Sequence, residues 1–213
     1  VLAILVRLAT FVTLGADRDL SGPATLDIAA GTTLIVSGSS GLSALTLVNT
    51  VTLNLQNATG RGVGALAFNA PATLTGAGAI SASSVTASGL ASGTATVAQP
   101  IAFTSSGTKN VLVPAGELVL EGELTGMGTS YLTKTGTGTL RVAAGIAAGG
   151  IQVGFSSASP TDGGTVVLGA NGSPGDLQLR LNYGTLLTDK AGGIVSPVGL
   201  NVAGRTGAES VIG

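Results

Sequence analysis

The stretch Ala44 to Gln56 reads ALTLVNTVTLNLQ. Leu45, Leu47, Leu53 and Leu55 alternate with Thr46, Thr52 and Asn54. An apolar residue at every second position puts one face of an extended chain inside and the other in water, so the period argues for half-buried strands. The same pattern returns in ATLDI (24–28), TTLIV (32–36), ATLTG (72–76), VLVPAGELVLEGEL (111–124), GTLRV (138–142), GGTVVLG (163–169) and DLQLRLNYGTLL (176–187). Clusters of Gly, Ser, Thr, Ala and Asn separate these segments and read as turns. No stretch carries a capped apolar stripe with helical spacing. The chain is therefore all-β.

Composition selects among all-β architectures. The 213 residues include 35 Gly, six aromatics (two Tyr, four Phe and no Trp) and 19 charged residues. A sandwich fills the space between its sheets with large aromatics, and this chain has few. A β-solenoid instead stacks Leu, Ile, Val and small residues in ladders, with Gly and Asn at its corners. The expected fold is a parallel β-helix forming one domain over residues 1–213. At roughly 18–24 residues per coil, the chain makes about nine to eleven coils. With a positive mean hydropathy and a net charge of -1, it lacks the low hydrophobicity and high net charge of a disordered chain.

The counts also exclude functions. No His and no Cys removes Ser-His triads, thiol nucleophiles, disulfides and His- or Cys-based zinc sites. Without a basic excess or aromatic platforms, a nucleic-acid partner is not expected. The apolar run Val1–Leu14 (VLAILVRLATFVTL) is 14 residues long and a membrane helix needs roughly 20, so no membrane span is expected. Both of its faces are apolar apart from Arg7, so it reads as a strand needing cover on both sides. One way to cover it is contact with a neighbouring subunit.

From Gly128 the chain reads GTSYLTKTGTGTLRVAAG. This resembles the autotransporter-associated β-strand repeat, whose pattern is close to LTKTGxGTLxLxG; Leu132, Thr133, Lys134, Thr135, Gly136, Gly138, Thr139, Leu140, Val142 and Gly145 match it. The flanks from Pro100 to Gly169 share its style. The resemblance implies a right-handed parallel β-helix exported to the bacterial surface. Read physically, Leu132, Leu140 and Val142 belong to an inner ladder, Gly136 and Gly138 to a turn between coils, and Lys134 and Arg141 point to solvent.

Each candidate for chemistry has a plain structural reading beside it. Glu117, Glu121 and Glu123 share one parity in GELVLEGEL, which fits either a weak calcium site or the acid/base pair of a polysaccharide-cleaving β-helix. A solvated outer face accounts for them as well. Asp17 and Asp19 around Arg18 allow a lyase-like pair, or simply a turn. Asp162, Asp176 and Asp189 sit in Gly- or Pro-containing segments where Asp favours turns. The GAGA of residues 76–79 lacks the βαβ context of a nucleotide loop. The sequons at Asn57 and Asn171 carry little weight in a bacterial product. No catalytic, cofactor-binding or metal residue is assigned.

The expected role is non-enzymatic: an extracellular structural β-solenoid forming or decorating a bacterial surface fibre, sheath or matrix by head-to-tail self-association. The alternative is an adhesin passenger that binds host cells or cell-surface glycans. A polysaccharide lyase or hydrolase ranks third.

Overall fold

A computed structural model describes residues 2–6, 11–14, 20–38, 40–56, 61–146, 149–154, 163–169, 178–189, 199–202 and 210–212. Among them there is no helix, and the strands fall into two parallel sheets. Face A stacks β1 (Leu2–Val6), β3 (Leu20–Ile28), β5 (Ser40–Leu47), β7 (Arg61–Phe68), β9 (Ile80–Thr86), β12 (Lys109–Leu112), β15 (Tyr131–Thr135), β17 (Gly150–Val153), β19 (Gln178–Leu181) and β21 (Gly199–Val202). Face B stacks β2 (Phe11–Leu14), β4 (Thr33–Val36), β6 (Thr52–Leu55), β8 (Thr73–Gly76), β10 (Thr94–Val97), β13 (Glu117–Leu120), β16 (Thr139–Val142), β18 (Thr165–Leu168), β20 (Gly184–Thr188) and β22 (Ser210–Ile212). Two short strands, β11 (Ile101–Phe103) and β14 (Leu124–Thr125), pair beside the main path of face A.

The chain alternates between faces, and each strand pairs with the strand one coil away. That is a β-solenoid. Its main paths stack ten strands each among the described residues, where nine to eleven coils were expected. The period is uneven. The step is 19 residues from Leu34 to Leu53 but 28 from Val153 to Leu181.

The alternation read from the sequence sets which side chains go inside. On face B, Leu34, Leu53, Leu74, Val97, Leu120, Val142 and Leu168 follow one another in register, and all are buried. On face A, Leu26, Leu47 and Phe68 do the same. Burying each such side chain contributes about 1.5–3 kcal/mol. Within a ladder the contacts are between side chains one rung apart, so the interior is filled mainly by aliphatic residues, with Phe68 and Phe103 among them.

The apolar run 1–14 is two strands rather than one. β1 pairs with β3 on face A and β2 with β4 on face B, so the run forms a rung of its own chain's ladder. Arg7, the charged residue that interrupts the pattern, falls between the two strands, outside the described residues. No helix among the described residues is long and apolar enough to cross a membrane.

Candidate functional site

The signature segment builds a corner of the solenoid. Leu132, Leu140 and Val142 are fully buried in the inner ladders, as expected. Gly136 turns the chain from β15 to β16 with φ of +86°, a left-handed conformation that favours glycine. Its Cβ position would also crowd the Val113 carbonyl.

Lys134 corrects the sequence expectation. It does not face solvent; it is fully buried and occupies the inner ladder between Val111 and Val153. Strand parity requires this, since Lys134 lies two residues after the inward Leu132. The side chain reaches the corner, where Nζ donates to the carbonyls of Gly136, Gly138 (2.5 Å) and Gly163 (2.8 Å). An ammonium carries protons for acceptors such as these. Gly163 belongs to the following coil, so the lysine ties one turn to the next. Gly164, at φ of +57°, leaves the room; a Cβ there would overlap Nζ. The lysine of the LTKTG signature is thus a structural staple in this chain.

Arg141 does lie at the surface, as expected. Its Nε meets Glu117 at 3.2 Å and its Nη1 meets Asp189, so it joins carboxylates from an earlier and a later coil on face B. Partial burial alone would lower the Arg141 pKa. The hydrogen bonds to Glu117 and Asp189 and the attraction of both carboxylates outweigh that and raise it above its ordinary value. Glu121 and Glu123 are exposed. Among the described residues, no three carboxylates form a group able to hold a metal ion. The structure therefore engages Glu117 in an ion pair rather than in the calcium site weighed for it. A shallow groove of about 220 Å³ at one corner is lined by threonines, including Thr50, Thr52, Thr73 and Thr94, and has no titratable side chain in its wall.

The GAGA segment forms the corner between β8 and β9, with Gly76 and Gly78 at positive φ. Asp17, Arg18, Asp19, Asp162, Asp176 and the sequons at Asn57 and Asn171 lie outside the described residues.

One cluster was not anticipated from the sequence. The outward column of face A runs Pro23, Ala44, Ala65, Ser84 in its first half and Asn110, Thr133, Gln152, Arg180 in its second. In that second half the Tyr131 ring lies across Gly150. Its hydroxyl donates to Gln178 Oε1 at 2.6 Å, on a strand two rungs away. The Arg180 guanidinium sits over the same ring, 4.7 Å from its centroid, and approaches Gln152 Oε1 at 3.4 Å. Gln152 in turn donates to the Gly154 carbonyl at 3.1 Å. Thr133, fully buried in the column, keeps a hydroxyl without a partner. Tyr131 and Arg180 are far apart in the chain, so only the coil register joins them. The one sequence signal was the scarcity of aromatics, which makes a surface tyrosine conspicuous.

Comparison with family models, characterised proteins and solved structures returned no match for this chain.

Proposed function

We propose that this chain is a non-enzymatic, extracellular structural protein. As a β-solenoid of the autotransporter-associated kind, it forms or decorates a bacterial surface fibre, sheath or matrix by end-to-end self-association. The observation that carries this reading is the parallel pairing of strand on strand along both faces, around a mainly aliphatic interior. Each coil presents a complete row of backbone donors and acceptors to the next, and such an edge templates another strand. The outermost described rungs, β1 with β2 and β21 with β22, are paired on one side among the described residues. A further coil completes them whether it comes from the same chain or from a second copy. Head-to-tail stacking of copies is an open interface and gives a filament rather than a ring. The likeness of residues 128–145 to the autotransporter-associated repeat supports export to the cell surface.

Negative-stain microscopy and sedimentation over a range of concentrations test the proposal. The expected result is filaments one solenoid wide, with fibre diffraction at about 4.8 Å along the filament axis. Compact monomers at every concentration overturn it.

The polar half of face A favours a second reading, an adhesin passenger that contacts glycans. Glycan-array binding by the purified protein tests that. Cleavage of polysaccharide on the same fold needs a groove in which carboxylates meet a cation. Glu117, Arg141 and Asp189 make their contacts on a partly exposed face, and release of reducing ends from polyuronates would be needed to support an enzyme.

A further inference from the structure

The geometry points to a carboxylate-binding site on face A, centred on Arg180 and Tyr131, whose ligand is an acidic saccharide of the uronate class. Three observations converge on it. Arg180 is held by ring stacking on Tyr131 and by Gln152, and it meets no carboxylate among the described residues. A guanidinium fixed in this way has already lost much of its side-chain freedom, and its planar fork matches a carboxylate with two parallel hydrogen bonds. Its neighbours are neutral. Gln178, which is exposed, and the Tyr131 hydroxyl offer an amide and a hydroxyl of the kind that pair with sugar hydroxyls, whereas a single cation without basic neighbours is poorly suited to a polyphosphate.

The change in the column locates the site. In its first half the outward positions Pro23, Ala44 and Ala65 offer no side-chain polar group, and only Ser84, at the boundary, carries one. From Asn110 onward every position carries one. Ladder stability does not require this, since the small residues of the first half serve the same backbone pairing. The column runs from rung to rung along the solenoid, so a saccharide chain lies across successive rungs with its carboxylate on Arg180. The site is independent of how copies of the chain associate.

Isothermal titration with oligogalacturonate at low salt tests the site. The wild type binds saturably, the methyl ester of the same oligosaccharide does not, and glutarate, which has carboxylates but no sugar, binds more weakly. Arg180→Gln weakens binding about 10- to 100-fold, the usual worth of a charge-assisted pair. Arg180→Lys keeps the charge but loses the fork and falls between the two. Arg141→Gln makes the same charge change on face B and leaves binding unaltered. Circular dichroism confirms that each variant folds. Absence of saturable binding overturns the site, as does equal binding of the ester or equal loss in Arg141→Gln. Glutarate binding as tight as the oligosaccharide overturns the saccharide assignment.

Discussion

Replacing Lys134 with methionine tests the corner staple directly. Methionine keeps an unbranched stem of similar reach, so packing between Val111 and Val153 in the ladder is retained. What is lost is the donor set for the carbonyls of Gly136, Gly138 and Gly163, all in buried residues. A buried acceptor left unpaired costs about 1–3 kcal/mol, so the gross loss is about 3–9 kcal/mol. Methionine also escapes the dehydration of an ammonium, which returns several kcal/mol. The expected net destabilisation is about 2–4 kcal/mol. For a chain of this size 3 kcal/mol corresponds to a fall in Tm of roughly 6–12 °C. The assay is urea denaturation followed by far-UV circular dichroism, compared with wild type and with Gly164→Ala. The second variant overlaps the ammonium from the other side and should be destabilised as well. If Lys134→Met unfolds within about 0.5 kcal/mol of wild type, as surface substitutions do, the lysine is not buried against these carbonyls and the reasoning fails.

Further outcomes follow from other positions. Leu120→Ala, in the middle of the seven-residue ladder of face B, should cost about 2–5 kcal/mol, the range for a cavity at a rigid site; a loss below 1 kcal/mol in the same denaturation assay would show that the ladder collapses around the gap. Arg141→Gln removes two partly exposed ion pairs and should cost about 0.5–1 kcal/mol, a difference that shrinks in molar salt; a salt-independent loss would contradict the surface assignment. Thr133→Val replaces an unpartnered buried hydroxyl with a methyl of the same shape and should raise stability by about 1 kcal/mol, so a lower Tm would show that the hydroxyl is in fact bonded. Gly136→Ala places a Cβ against the Val113 carbonyl at positive φ and should cost more than about 1 kcal/mol; an unchanged melt would mean that the corner reshapes freely.

The alternation of segments such as Ala44–Gln56 was enough to establish strands, and the scarcity of aromatics was enough to prefer stacked coils over facing sheets. Leu132, Leu140 and Val142 were legible as core because strand parity is a local property. Lys134 was equally legible by parity, but its charge argued the other way, and the carbonyls of Gly136, Gly138 and Gly163 that it meets are supplied by backbone the sequence does not mark. The run Val1–Leu14 was legible as extended chain, yet its division between the faces is made by pairing of β1 with β3 and of β2 with β4.

By itself, then, the order of residues determined the all-β character, the alternate inward face and the chemistry that is missing, because each follows from neighbours two to four positions apart. The tertiary structure decided which residues meet across coils: Lys134 with Gly163, Arg141 with Asp189, Tyr131 with Arg180. The coil step varies from 19 to 28 residues, so no fixed spacing announces these partners. They are set only when the backbone closes each turn and brings its rungs into register.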